Sequence, residues 1–144
     1  MNSLTLKNKN ILITGGSQGV GFAIAKACCS LDAENVVIVG RDDLKGKKAA
    51  KNLSTENTKV FFLKVDLFHD NSTDLIFDFT SQEIGSLDCL VNAAGITTRG
   101  SFLDGKIEDW NQLFAINARS PFFLMQAFIR QAIDNNIPGS IVNI

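Results

Sequence analysis

Asn10-Ile11-Leu12-Ile13-Thr14-Gly15-Gly16-Ser17-Gln18-Gly19-Val20-Gly21 carries an apolar run into a glycine-rich turn, and the turn opens a segment of helical spacing. The run has the length and bounding signal of a buried strand. Beyond the turn, Val20, Ile24, Ala27, Cys28 and Leu31 recur at helical intervals, and Val36-Val37-Ile38-Val39 then reads as a second buried strand. Strand, glycine turn, helix, strand is the opening unit of a dinucleotide-binding α/β fold. Glycines let the backbone turn sharply and approach a ligand, while unpaired N–H groups and the positive end of the next helix attract a pyrophosphate. A side chain at Gly19 or Gly21 would block part of that approach. Without a ligand the same text would be a plain turn; the flanking strand and helix favour the nucleotide cradle.

The alternation continues outward. Asp43 to Leu53 reads as a polar helix, and Val60-Phe61-Phe62-Leu63-Lys64-Val65 as a strand closed by Asp66-Leu67. Ser72 to Ile84 reads as a third helix with Leu75, Ile76 and Phe79 on one face, and Leu87 to Val91 as a strand running into Asn92-Ala93-Ala94-Gly95. A strongly helical segment around Trp110 to Ile129 precedes Gly139-Ser140-Ile141-Val142-Asn143-Ile144, a fifth strand. Such alternation implies a parallel sheet covered on both faces, joined by right-handed crossovers, with ligands at the carboxyl ends of the strands.

Composition narrows the function classes. The 144 residues are 45% hydrophobic and carry a net charge of −1, which suits a globular α/β domain and gives no basic footprint for nucleic acid. The run Lys45 to Lys51 reads as the solvated face of the second helix. No apolar run reaches membrane-spanning length, and Met1 to Lys7 lacks the apolar core of a signal peptide, so the expected address is cytoplasmic, with no membrane partner. Cys28, Cys29 and Cys89 read as small core residues, and the single His69 offers no metal site.

Taken together, Thr14-Gly15-three residues-Gly19-one residue-Gly21, Asp66-Leu67, Asn92-Ala93-Ala94-Gly95, Asn117 and the strand Gly139 to Ile144 resemble, in order and from end to end, the short-chain dehydrogenase/reductase family. Ala93 stands where the family's NNAG motif has its second Asn. The resemblance implies a Rossmann-like, doubly wound parallel sheet of strand order 3-2-1-4-5. The first and fourth strands then flank the switch point, where Gly15 to Gly21 and Asn92 to Gly95 meet. It also implies an NAD(P)-dependent hydride transfer between the nicotinamide and an alcohol or ketone, in a protein that is commonly a dimer or tetramer. Family enzymes place a catalytic Ser and a Tyr-xxx-Lys beyond the fifth strand, and the 144 residues hold no Tyr. The expectation is therefore that residues 1–144 are the N-terminal part of a single NAD(P)-binding domain, truncated after the fifth strand and inactive alone. The alternatives are a non-catalytic dinucleotide-binding module or pseudoenzyme, and a Rossmann-like protein serving another nucleotide-bearing ligand.

Roles follow residue by residue. Backbone N–H groups of Ser17, Gln18, Gly19 and Val20 are expected to hold the pyrophosphate, with Gly15 and Gly21 shaping the turn and Gly95 leaving room beside the cofactor. Thr14 either ties the turn together or contacts the ligand. Asp66, with Leu67, resembles the family's adenine-side pair; otherwise it is a strand-end Asp in a turn. Asn92, Ala93 and Ala94 complete the motif beside Gly95. Cofactor choice rests on the end of the second strand, Val39-Gly40-Arg41: a carboxylate there binds the ribose of NAD, whereas Gly followed by Arg41 resembles the NADP arrangement. NADP is favoured, with NAD the alternative, since Asp42 or Asp43 either reaches a ribose or caps the next helix.

Asn117 matches the helix Asn of the family's catalytic tetrad. Pro121 follows four residues later and cannot donate to the Asn117 carbonyl, which predicts a kink and a free acceptor, and the resemblance implies that this carbonyl holds a water; a separate helix starting at Ser120 is the other reading. Phe122, Phe123, Met125, Ala127, Phe128 and Ile129 exceed the needs of one buried stripe, so the segment is either a long core helix or a subunit contact. Arg99 reads as an exposed loop residue.

Overall fold

The computed structural model describes residues 4–144; Met1 to Ser3, at the head of the segment read as lacking a leader, lie outside the described residues. Five strands form one parallel sheet: β1 Asn10–Thr14, β2 Asn35–Gly40, β3 Lys59–Lys64, β4 Cys89–Asn92 and β5 Ser140–Asn143, in the order β3-β2-β1-β4-β5. The helices are α1 Gly19–Ser30, α2 Asp43–Leu53, α3 Ser72–Glu83, α4 Ile107–Phe114 and α5 Ser120–Asp134. This is the doubly wound Rossmann-like arrangement, with the switch point between β1 and β4.

Side-chain alternation along each strand splits the core into two layers. Ile11 and Ile13 of β1 and Val36 and Ile38 of β2 pack against Ala25, Cys28 and Cys29 of α1 and Ala49, Ala50 and Leu53 of α2. Leu12, Val37 and Val39 face the other way, onto Ile76 of α3 and Leu124 and Phe128 of α5. Central strands buried on both faces must be apolar at every position, which is why β1 and β2 read as unbroken runs.

α1 meets the sheet through only part of the stripe its apolar spacing predicts, keeping Cys28 in the core and Ile24 packed against it. Gly21, Ala25, Cys28 and Cys29 are buried, whereas Val20 is 57% exposed and Ala27 also faces solvent. Small residues win the buried face because they let the helix lie close to the glycine turn. On α3, likewise, Ile76 is buried but Leu75 is exposed.

The two ends of the sheet are finished differently. At the amino end, Asn10 donates through Nδ2 to the carbonyls of Ile84 and Ser86 at 3.1 and 2.9 Å, and Asn35 donates to Asn10 Oδ1 at 2.9 Å. Asp88 accepts from the Asn10 N–H and from Lys9 Nζ, both at 2.9 Å. At the carboxyl end the chain opens into a cleft.

Residues 107–134 form one continuous helical stretch, with no separate helix starting at Ser120. A π-helical turn, Ala115–Arg119, joins α4 to α5, and the Ser120 N–H donates to the carbonyl of Ala115, five residues back. An α-helical bond to the Asn117 carbonyl would need an N–H at Pro121, which has none; the wider turn absorbs that defect without breaking the helix. β5 pairs only with β4 and is largely exposed at the sheet edge.

Candidate cofactor cleft

A cleft of about 750 Å³ lies over the carboxyl ends of β1, β2 and β4. Its walls are the turn Gly15 to Gly21, the end of β2 from Val39 to Asp42, Lys45 on α2, Val65 to Leu67, Ala93 to Ile96 and Ile116. The volume falls within the range of small-molecule and cofactor sites.

The glycine turn is built by three separate constraints. Gly15 has φ +69°, and a Cβ there would lie 2.9 Å from Ala94 N and Cα, so the β4 loop can approach only a bare backbone. Gly19 has φ +58° but open space around it, on the cleft side. Gly21 is fixed by packing: a Cβ would sit 2.4 Å from the Gly15 carbonyl oxygen. The turn thus stacks tightly on itself while its outer surface stays open. The first backbone bond of α1 runs from Phe22 N–H to the Gln18 carbonyl at 3.2 Å, which leaves the N–H groups of Gly19, Val20 and Gly21 without helical acceptors. No acidic side chain occupies the first turn of α1 and no side chain caps it. These donors, at the positive end of the helix dipole, can receive a phosphate.

Two of the sequence-predicted residues stand behind the cleft wall. Thr14 is buried, and its hydroxyl accepts from the Ala94 N–H at 3.2 Å, joining the ends of β1 and β4. Asn92 is also buried, with Nδ2 donating to Asn143 Oδ1 across the β4–β5 pair at 2.9 Å. Both place the lining residues rather than forming the lining. Gly15, Ser17, Gln18, Gly19, Val20, Gly21, Arg41, Asp66, Leu67, Ala93, Ala94 and Gly95 line it directly.

At the end of β2 there is little room for a carboxylate. A Cβ on Gly40 would lie 3.1 Å from Ser17 Oγ and 3.5 Å from the Phe62 ring. Arg41 is exposed and, among the described residues, forms no ion pair. The neighbouring carboxylates are committed elsewhere: Asp42 Oδ1 caps α2 by accepting from the Lys45 N–H at 3.0 Å, and Asp43 pairs with Lys47 at 2.7 Å. Lys45 also lines the cleft, as Arg41 does. Lys45 reads in the sequence only as part of a solvated lysine face; its spacing of four from Arg41 across a helix start was the available signal.

Asp66 is held by its own loop. Oδ1 accepts from the Phe68 N–H at 3.0 Å, and the other carboxylate oxygen has no partner among the described residues. On the far wall, Asn117 acts through its side chain. Its Oδ1 accepts from the Ile96 N–H at 2.9 Å and its Nδ2 donates to the Ile96 carbonyl at 2.8 Å, clamping the residue after Gly95. The three thiols lie away from the cleft. Burial pushes those of Cys28, Cys29 and Cys89 above the usual thiol range, which keeps them protonated and weakly nucleophilic at neutral pH.

This order of motifs, on this sheet, matches the family model described as short chain dehydrogenase over residues 9–144. The chain belongs to that family. A short-chain dehydrogenase of this sequence is 31% identical over its whole length to 5-keto-D-gluconate 5-reductase of Escherichia coli K12, covering 56% of that protein. It is 38% identical over its whole length to a 3-oxoacyl-acyl-carrier-protein reductase of Chlamydia muridarum, covering 57% of it. Among solved structures, a metagenomic short-chain oxidoreductase in complex with NADP superposes with a TM-score of 0.88 at 29% identity, over 96% of this chain and 61% of that one. The chain thus spans little more than half the length of the curated relatives it matches. Among the described residues no helix is long and apolar enough to cross a membrane, and no cluster of three metal-binding side chains occurs.

Proposed function

We propose that residues 1–144 are the cofactor-binding part of a single-domain oxidoreductase that uses NADP to interconvert a small alcohol and its carbonyl compound. The observation that carries the choice of NADP is the pair Arg41 and Lys45 beside Gly40, where two cations line the cleft and the adjacent carboxylate, Asp42, is engaged as the cap of α2. A 2′-phosphate at that position would gain two charge-assisted contacts, and a ribose diol would find no acceptor at residue 40. The NADP complex of the metagenomic relative supports the same reading.

In this reading the N–H groups of Ser17 to Val20 hold the pyrophosphate. Asp66 accepts from the adenine amino group through its unused oxygen, and Leu67 packs against the ring. Ala93, Ala94 and Gly95 give the nicotinamide half a wall without bulk. The bound cofactor would supply the hydride. Asn117 orients the nicotinamide side by clamping Ile96, while the carbonyl facing Pro121 is the acceptor that an α-helical bond leaves over. The alkoxide formed by hydride transfer needs a proton donor, and we place that donor, the family's Ser and Tyr-xxx-Lys, in sequence following Ile144. The exposed face Phe122, Phe123, Ile129 and Ile133 of α5 suits a subunit contact in the whole enzyme.

The test is a titration of the complete protein with NADPH and NADH by nucleotide fluorescence, followed by turnover of a panel of ketones. Tighter binding of NADPH with turnover is the expected result. Binding without turnover, in a protein whose reading frame lacks Tyr-xxx-Lys, would assign the chain to the non-catalytic dinucleotide-binding module instead.

A further inference from the structure

Arg119 closes the π-helical turn and extends away from it to residues 66–71, the loop between β3 and α3. Its Nη2 donates to the Phe68 carbonyl, and its Nη1 lies 2.8 Å from Asp70 Oδ1. Phe68 is also the residue whose N–H donates to Asp66 Oδ1. Arg119 and Asp66 therefore hold the same residue from its two backbone groups, which links the guanidinium to the carboxylate in the cleft wall through one residue. Leu67 anchors the start of the loop in the core, and beyond it the bonds His69 N–H to the Asp66 carbonyl at 3.2 Å and Ser72 N–H to the His69 carbonyl at 3.1 Å are local. Asn117, two residues earlier on the same turn, clamps Ile96. One five-residue turn thus fastens both the Ala93–Ile96 wall and the Asp66–Leu67 wall of the cleft.

We propose that Arg119 is a positioning residue for the adenine end of the cleft, a strap from the π-helical turn that sets the orientation of Asp66. The proposal rests on the reading of the cleft as a dinucleotide site. Arginine suits the task because its planar fork reaches a backbone carbonyl and a carboxylate at once, which an ammonium does less well. The Asp70 pair is solvent-exposed and contributes modestly; the bond to the Phe68 carbonyl carries the positioning.

The test uses the complete protein with Arg119→Met, which keeps the apolar stem, Arg119→Lys, and Asp70→Asn as a mild surface variant. Two quantities are read: amide hydrogen exchange across residues 66–71 without nucleotide, and Kd for NADPH and NADH. Arg119→Met is expected to speed exchange at Phe68 and His69 and to weaken both nucleotides by the same factor, about fivefold, because adenine is common to them. Arg119→Lys should recover part of the loss, and Asp70→Asn should give about a twofold effect in the same direction. Unchanged exchange in Arg119→Met and Asp70→Asn would overturn the strap. Faster exchange with unchanged Kd values would overturn the positioning role. A loss confined to NADPH would also overturn it, by pointing to the phosphate rather than adenine. A wild-type protein that binds neither nucleotide would overturn the dinucleotide reading and the positioning role with it, while the exchange data would still decide whether the strap exists.

Discussion

Gly21→Ala adds one methyl group at the tightest point of the glycine turn. The new Cβ would lie 2.4 Å from the Gly15 carbonyl oxygen, 2.8 Å from its carbon and 3.1 Å from Gly16 Cα, about 1 Å inside ordinary contact with the first. None of these atoms is the end of a flexible side chain, so relief requires α1 to move off the turn. Alanine gains about 1 kcal/mol of helix propensity over glycine, whereas overpacking of this kind costs about 1–3 kcal/mol and more when only backbone can yield. The clash outweighs the gain, and a net loss of about 2 kcal/mol should lower Tm by about 5–8 °C. Displacing the first turn of α1 also separates the Gly19 and Val20 N–H groups from the position they share with Ser17 and Gln18. Losing about one well-placed phosphate contact should raise the Kd for NADPH about tenfold. Differential scanning calorimetry and nucleotide fluorescence on the purified variant check both numbers. A Gly21→Ala protein with wild-type Tm and Kd would refute the reasoning, because it would mean the turn relaxes without moving its donors. Gly19→Ala differs in stability: its Cβ meets nothing of the protein within 4 Å, and only the φ of +58° opposes folding, at a cost of about 1–2 kcal/mol, while the added methyl group stands on the cleft side and should itself weaken NADPH.

Arg41→Ala should weaken NADPH about 10- to 100-fold and leave NADH nearly unchanged, read as the ratio of the two Kd values; equal losses would dissociate Arg41 from the 2′-phosphate. Because the folded-state pKa values of Cys28, Cys29 and Cys89 are raised by burial, their contribution to stability is intact below the ordinary thiol value of 9.0 and declines as pH rises beyond it toward the folded values. Denaturant melts from pH 7 to 10.5 should therefore show stability falling above about pH 9, a decline that Cys28→Ala and Cys89→Ala reduce. The 144-residue polypeptide produced by itself should self-associate, since Phe102, Leu103, Trp110, Phe114, Phe122 and Phe123 are exposed and β5 is an open edge; light scattering showing a stable monomer would contradict this.

What the sequence determined follows from local rules acting over short spans. Apolar runs bounded by glycine specify buried parallel strands, and α2 occupies Asp43–Leu53 as its pattern predicts. The spacing of Gly15, Gly19 and Gly21 specifies a tight turn, in which Gly15 and Gly21 leave no room for a Cβ, and with the later motifs it marks the family, the strand order and the cleft. Other features depend on which surfaces meet, and periodicity does not encode that. α1 buries its small residues fully and its larger Phe22 and Ile24 only partly, because the helix lies close to the sheet. Asp42 and Asp43 are equivalent candidates in the sequence, and only the start of α2 commits both, one to the helix cap and one to Lys47. Pro121 announces a lost hydrogen bond, but whether a helix kinks, breaks or widens depends on what both ends pack against; here Ile116 and Leu124 are both held in the core, and the π-helical turn fits between them. That turn, in folding, carries Asn117 to Ile96 and Arg119 to Phe68, contacts spanning 21 and 51 residues that no local pattern specifies.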